Sequence, residues 1–323
     1  MPRSAPKKAE TVKPPLAVRL AAPRGFCAGV ERAIRTVEEA LALHGAPVYV
    51  RHEIVHNTHV VARLSAMGAV FVDDLEAVPT DRPVVFSAHG APKSAHQDAA
   101  ARNLIKIDAT CPLVLKVHTQ IRRHHTAGRT VILVGHRNHP EVVGSMGQAP
   151  DGAVILVETL DDIAALPDLP GPLAYSTQTT LSVDETKDMI AALKARFPDI
   201  AGPAKEDICY ATSNRQEAVK AAAIGCDLFV VIGSATSSNS TRLVETAKIA
   251  GAAEAVLAED ADGFDWPQLD GVTTIGLSAG ASAPESLVEA FLTALAARRT
   301  LRIDHIETAR EQVVFNTPFR LAS

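Results

Sequence analysis

Aromatic residues are scarce in this chain. Tryptophan occurs once, tyrosine three times, and aromatics make up 4% of the sequence. That is too few for the stacking platforms that read single-stranded nucleic acid. A basic excess is missing as well. The formal net charge is −5, whereas a nucleic-acid binder usually presents a positive face. No apolar run reaches the roughly 18–20 residues that span a bilayer, so no membrane association is expected. The N-terminal stretch Met1 to Pro15 carries Lys7, Lys8, Lys13 and several prolines but no apolar core, unlike a secretory signal. Glu10 and the prolines also spoil the amphipathic helix of a transit peptide. Residues 1–16 are therefore expected to form a disordered extension, and the protein to be cytoplasmic.

Cysteine is rare too. The four are Cys27, Cys111, Cys209 and Cys226. Without an export signal, disulfides are not expected. No two cysteines form a C-x-x-C pair, which removes zinc-ribbon and thioredoxin-type motifs. Neither a Walker A sequence nor G-x-G-x-x-G occurs, so a nucleotide is not the obvious ligand.

What the chain does have is apolar residues, 47% of 323, enough for a real core and, by length, about two domains. Short runs rich in Val, Ile and Leu recur without alternation: Ala17–Ala21, Val48–Val50, Val84–Ser87, Ile105–Ile107, Val131–Val134, Leu173–Tyr175, Leu228–Ile232 and Thr273–Leu277. Strands buried on both faces read this way. Helical patterns lie between them. In Val30–Leu41, the residues Val30, Ala33, Ile34, Val37 and Leu41 fall on one helical face. The expected fold is α/β with mainly parallel sheets.

Three cysteines occupy equivalent places in this pattern. Cys27 lies between Ala17–Ala21 and Val30–Leu41. Cys111 follows Ile105–Ile107 and precedes a helix over Leu113–Ile121, with Pro112 suited to the first helical position. Cys209 follows a short extended stretch and precedes a helix near Arg215–Ala223. The repeated order of strand, cysteine loop and helix suggests three related modules meeting at a centre. Three converging thiolates could bind a metal group; three buried cysteines are the plainer alternative. Cys226, in Gly225-Cys226-Asp227 before an apolar strand, reads as structural.

Unusual polar segments also sit where strands end: His56-Asn57-Thr58-His59, Ser87-Ala88-His89-Gly90, His136 to Glu141, Ser176 to Thr180, Ser237-Ser238-Asn239-Ser240 and Gly280 to Pro284. In open α/β sheets the carboxyl ends of the strands form the ligand crevice. Hydroxyls, amides, imidazoles and helix N-terminal N–H groups can share the charge of a phosphate without a basic patch. Each segment alone is equally a cap or a turn. Pro140 disfavours a helical His139, so His136-x-x-His139 is not the zinc helix of H-E-x-x-H enzymes. Glu141 is either a buried proton donor or a helix N-terminal carboxylate facing the dipole.

Taken together, these segments resemble the 4-hydroxy-3-methylbut-2-enyl diphosphate reductases. The resemblance runs in order over about residues 18–320 and rests on Pro23-Arg24-Gly25-Phe26-Cys27-Ala28-Gly29-Val30, Val50 to Asn57, Ser87-Ala88-His89-Gly90, Asp108 to Val114, His139-Pro140-Glu141, Thr177 to Val183, Asp207 to Thr212, Ser237 to Ser240 and Gly280 to Pro284. It implies three α/β modules in a cloverleaf around a central [4Fe–4S] cluster. The cluster would have three ligands, Cys27, Cys111 and Cys209, and one open iron for the substrate oxygen. The diphosphate would be bound by His56, His89, Ser237, Ser238, Asn239 and Ser282, with His139 and Thr179 bordering the pocket. Glu141 would supply protons, with Thr179 and Gln178 ordering the hydroxyl end. Reduced ferredoxin or flavodoxin would bring electrons, and the products would be isopentenyl and dimethylallyl diphosphate. The implied division places residues 17–28 with the third module, then 29–110, 111–207 and 208–300 as the three modules, and 301–323 as a C-terminal segment. Two features depart from the family pattern: the first 16 residues have no counterpart in it, and Arg137-Asn138 is unexpected inside an otherwise matching loop. Two rival readings use the same residues. One is a metal-dependent hydrolase built on His56, His89, His139 and Glu141; the other is an iron–sulfur sensor of a phosphorylated ligand.

Overall fold

The structure, a computed structural model, describes residues 13–321. In chain order the strands are β1 (Pro15–Ala22), β2 (Val48–Arg51), β3 (Ala69–Val72), β4 (Pro83–Phe86), β5 (Ile105–Asp108), β6 (Thr130–Val134), β7 (Val154–Val157), β8 (Leu173–Thr177), β9 (Leu228–Ile232), β10 (Glu254–Ala258), β11 (Thr274–Ala279) and β12 (Thr300–Glu307). The helices are α1 (Ala28–His44), α2 (Thr58–Ala66), α3 (Lys93–Ala101), α4 (Pro112–Thr126), α5 (Pro140–Met146), α6 (Leu160–Ala165), α7 (Val183–Arg196), α8 (Tyr210–Ala223), α9 (Ser238–Ile249) and α10 (Glu285–Arg298).

The strands form three sheets, ordered β3-β2-β4-β5, β7-β6-β8 and β10-β9-β11-β1-β12. Every pairing between the named strands is parallel. The expected α/β class holds, and its cause is visible in the cores. Successive strand residues point to opposite faces, and here both faces are apolar. In the first sheet Val48, Val50, Val85 and Ile107 pack on one side, and Val84 and Phe86 on the other. In the second, Ile132 and Val134 oppose Val131 and Leu133. In the third, Val230 and Ile232 oppose Phe229 and Val231. Helices cover both faces, as a parallel sheet requires. α1 does so with Ala33, Ile34, Val37 and Ala40.

β1 does not pair with the strands that follow it in sequence. It is inserted between β11 and β12, far along the chain. It begins at Pro15, and Leu16 is buried, so the strand starts two residues before the run read from the sequence. Residues 1–12 of the expected extension lie outside the described residues. After β12 the chain runs without regular structure from 308 to 317 and ends in a 3-10 turn at Pro318–Leu321. No helix among the described residues is long and apolar enough to cross a membrane.

Candidate active site

Cys27, Cys111 and Cys209 stand at the same structural position three times over. Each is the N-cap of a helix: α1, α4 and α8. Cys27 follows β1 and Cys111 follows β5. Cys209 is reached differently. The chain leaves β8, forms α7, touches the second sheet again through a single parallel bridge from Ala201 to Ala174, and only then enters α8. That bridge is the short extended stretch seen in the sequence. Pro112 occupies the first turn of α4, as expected.

All three cysteines line one cavity. Its other walls are the residues just past strand ends: Val55 and His56 after β2, Ala88 and His89 after β4, His139 after β6, Thr179 and Thr180 after β8, Ser237, Ser238 and Asn239 after β9, and Ala281 and Ser282 after β11. The carboxyl ends of strands from all three sheets therefore converge, as open parallel sheets dispose their ligand sites. The cavity holds about 700 Å³ of atom-free space, part of it open to solvent.

One end of the cavity is sulfur-lined. Gly29 gives the thiols room: a Cβ there would lie 2.6 Å from the Cys111 sulfur and 3.8 Å from that of Cys27. Burial and the nearby Cys27 push the Cys111 thiol up to about 12. Burial likewise raises Cys209 to about 11, although the Thr212 hydroxyl and N–H both approach its sulfur. Neutral thiols are thus stable here, and several thiolates need a compensating positive charge at the site. Cationic metal supplies such charge, and three helix N-termini pointing at the sulfurs favour the same ionisation. Among the described residues no three His, Cys, Asp or Glu side chains are placed to hold a single metal ion. The three thiols share the lining of one space. Cys226 lies elsewhere, buried in an apolar core with its thiol on the Ala222 carbonyl.

The other end is lined with polar groups that lack partners. Asn239 is buried, yet neither its amide nitrogen nor its oxygen is hydrogen-bonded, and the Nε2 of His56 is in the same state. Buried polar atoms are normally satisfied, so these are groups waiting for a ligand. The Nδ1 of His56 sits 2.9 Å from Glu53, which fixes the ring with Nε2 toward the cavity. His56 stacks on His89 at 4.1 Å, and His139 meets both edge-on at 5.6 and 5.9 Å. Desolvation first, then the neighbouring imidazoles, hold His89 well below its usual range, and desolvation and His56 bring His139 to about 3. Both rings are neutral near pH 7 without a ligand. Ser237 caps α9 by accepting from the Ser240 N–H, and its hydroxyl also receives those of Ser240 and Ser282.

Glu141 also lines the cavity, near enough to Cys209 for its charge to raise that thiol. It is 2% exposed. Thr179 donates to it twice, from its backbone N–H at 2.7 Å and its hydroxyl at 2.8 Å. Burial outweighs these bonds and raises the carboxyl to about 7, with the Asp207 charge adding to the rise. His139, the N-cap of α5, accepts the Glu141 N–H through Nδ1.

All the sequence-derived site residues except Gln178 line this cavity. Gln178 points the other way: its Oε1 accepts from the His136 N–H and its Nε2 donates to Thr180. Thr180 in turn donates to Ser238 at 3.2 Å. Gln178 thus supports the wall from behind. Sequence reasoning missed Thr180 and Thr212, and it missed two buried arginines. Arg32 donates to the Thr110 carbonyl next to Cys111. Arg215 donates to the Gly25 and Phe26 carbonyls next to Cys27. An arginine inside a helix with no burial signal of its own gives no sequence clue to such a role.

Comparison with known proteins agrees with this geometry. A sequence model of the family described as LytB protein matches residues 18–296. A 4-hydroxy-3-methylbut-2-enyl diphosphate reductase from Hyphomonas neptunium is 59% identical over 313 residues, 97% of this chain and 99% of that one. The enzyme of the same name from Phenylobacterium zucineum is 59% identical over 311 residues, 96% and 99% of the two chains. Among solved structures, the E-1-hydroxy-2-methyl-but-2-enyl-4-diphosphate reductase from Plasmodium falciparum superposes with a TM-score of 0.89 at 38% identity, covering 97% of this chain and 98% of that one.

Proposed function

The chain belongs to the LytB protein family, and on that premise we propose how its own residues carry out the family's reaction. The reaction is the reductive dehydroxylation of (E)-4-hydroxy-3-methylbut-2-enyl diphosphate to isopentenyl diphosphate and dimethylallyl diphosphate. The alcohol takes up two electrons and two protons, its C–O bond breaks, and water leaves. The observation that carries the assignment of roles is one cavity lined by three thiols, by buried polar groups without partners and by a sealed carboxyl.

Cys27, Cys111 and Cys209 would hold a [4Fe–4S] cluster, the absence of a Cβ at Gly29 leaving their thiols room. When bound, such a cluster supplies electrons singly and, with three thiolates for four irons, Lewis acidity. Asn239 and the Nε2 of His56 take the diphosphate, with Ser237, Ser238, Ser282 and His89 beside them and His139 at the border. An arriving diphosphate opposes the imidazole repulsion that, after desolvation, helps keep His89 and His139 neutral, so anion binding favours proton uptake by the imidazoles. Glu141, raised by burial to about 7, keeps a substantial protonated fraction at neutral pH and is the acid. Thr179 fixes both carboxyl oxygens and can exchange its hydroxyl proton with Glu141, which makes a short relay. Gln178 holds the Thr180–Ser238 wall in place. The apolar residues Val30, Val55, Leu113 and Val114 keep the allylic carbons from water.

We read the chain as three modules with boundaries near residues 110 and 207 and β1 counted in the third, a reading that the three separate sheets support. Electrons come from a reduced ferredoxin or flavodoxin, and the reaction takes place in the cytoplasm. Iron and acid-labile sulfide, measured after anaerobic preparation, test the ligand set. Cys27→Ser, Cys111→Ser and Cys209→Ser each lose most of both, because an alkoxide is a harder ligand than a thiolate. Cys226→Ser keeps both. An empty Cys226→Ser protein beside a full Cys209→Ser protein would reverse the assignment.

A further inference from the structure

One face of the molecule departs from its overall acidity. A groove runs between α4 and the loop Gly202–Lys205, and its basic residues are Lys116, Arg122, Arg123, His124, Arg129 and Lys205. No acidic residue is among those that line it. At its inner end Lys116 is committed, 3.3 Å from the buried Asp207 carboxylate and bonded to the carbonyls of Lys205 and Glu206. Arg122 bonds Gln148 and Thr119. Arg123, Arg129 and Lys205 have no carboxylate partner among the described residues. In a chain with a net charge of −5, this gathers unpaired positive charge on one surface.

The walls of the groove matter as much as its charge. α4 begins at Cys111, and Leu115, one turn along with its N–H on the Cys111 carbonyl, is 36% exposed in the groove. The opposite wall, Gly202–Lys205, leads within a few residues to Cys209. Pro203 and Ala204 on that wall, with Leu115 and Ala127 on the other, give apolar contact inside a basic rim. The groove thus runs from Leu115, one turn past Cys111, to Arg129 beyond the end of α4, with its other wall four residues before Cys209 at Lys205. A partner seated along the groove touches, at its Leu115 end, the first turn of the helix that Cys111 caps, and it does so outside the substrate pocket.

We propose that this groove docks an acidic one-electron carrier protein, which is oxidised by one electron at each of two visits per turnover. The proposal rests on the reductase reading given above. Complementary rim charge acts mainly on encounter rate and its salt dependence, and that sets the test. The holoenzyme is assayed anaerobically for conversion of the hydroxylated diphosphate with two donors, an acidic reduced [2Fe–2S] ferredoxin and reduced methyl viologen. Reversal of the three unpaired charges (Arg123→Glu, Arg129→Glu and Lys205→Glu together) lowers kcat/KM for ferredoxin by about 10-fold or more at low salt and flattens its salt dependence. Turnover with viologen and iron content stay as in the wild type. Arg123→Gln, a milder change on an exposed helix face, gives a smaller loss with ferredoxin alone. Unchanged ferredoxin kinetics in the triple variant overturn the docking site, as does an equal fall with both donors. A wild-type holoenzyme that fails with viologen as well overturns the reductase reading itself.

Discussion

A carboxyl group sealed from water and held by two donors, as Glu141 is by Thr179, keeps its proton to about pH 7. The groups that bear on it are Thr179, which lowers that value, and Asp207, which raises it, with the Cys209 thiol nearby. Two consequences follow at this residue. Turnover that depends on the protonated acid falls as pH rises through about 7, and Glu141→Gln lowers turnover at all pH by about 10²-fold, the scale of a lost general acid, with iron content retained. Stability follows the same group. Its folded pKa is raised above the unfolded value of 4.5, so its contribution is fully present below that value and is lost as pH rises through about 7. The difference is roughly 3 kcal/mol. Denaturation of the Gln variant at pH 5 and pH 8 should show it losing less stability than the wild type over that interval; equal losses would mean that Glu141 is ionised in the folded protein. Asn239 behaves otherwise. Asn239→Ala removes a bond to a charged oxygen worth roughly 1.5–3 kcal/mol, about 10- to 150-fold in diphosphate affinity. Because both amide atoms lack partners in the free protein, its stability without ligand should not fall. Titration calorimetry and a melting curve check the two halves; a large drop in melting temperature would make Asn239 a structural residue. At this scale the sequence was informative where polar residues interrupt strand ends. It could not tell which members of Thr177-Gln178-Thr179-Thr180 face inward, because the turn after β8 sends Thr179 and Thr180 to the cavity and Gln178 to His136.

Elements were legible in proportion to their burial. Each of the eight strands read from apolar runs is present within about two residues. Four strands went unread, namely β3, β7, β10 and β12, and each is at the edge of its sheet. An edge strand buries fewer of its residues on at least one face. β12, Thr300 to Glu307, has only exposed and half-buried positions, and so carries no continuous apolar run. The insertion of β1 beside β12 depends on long-range pairing and has no local signature. The segment after β12 is informative in another way. Glu311 binds Arg215 at 2.9 Å and Asn214 at 3.1 Å. The Phe315 and Asn316 carbonyls accept from Arg35 and Arg32. Thr317 donates to Glu39. Residues 311–317 thus strap α8 to α1, and through Arg215 and Arg32 they reach the backbone beside Cys27 and Cys111. Glu311→Ala leaves the buried Arg215 short of one partner, a loss of about 1–3 kcal/mol. The variant should unfold at lower denaturant and lose iron faster under air than the wild type. Unchanged iron retention would confine the strap to a stabilising role.

At the scale of the whole molecule, three parallel sheets contribute strand ends to one cavity. The cavity has partnerless hydrogen-bonding groups and neutral imidazoles, while positive charge gathers in the groove between α4 and Gly202–Lys205. Electrons and substrate thereby have separate approaches to the thiol-lined end. This arrangement was partly readable in advance, because three strand–cysteine–helix orders imply a common centre. The groove was not, since Lys116, Arg122, Arg123 and Arg129 look along the chain like the solvated face of any surface helix and gain meaning only from their position behind Cys111. The central claim is that this cavity joins reduction to protonation of a hydroxylated allylic diphosphate. The most direct measurement is a single anaerobic turnover, in which chemically reduced holoenzyme is mixed with (E)-4-hydroxy-3-methylbut-2-enyl diphosphate and the products are quantified beside the electrons consumed. The account predicts isopentenyl and dimethylallyl diphosphate, their sum matching one molecule for every two electrons, and almost none from Glu141→Gln on the same time scale. Release of phosphate or diphosphate without electron consumption, or full product formation by Glu141→Gln, would contradict it.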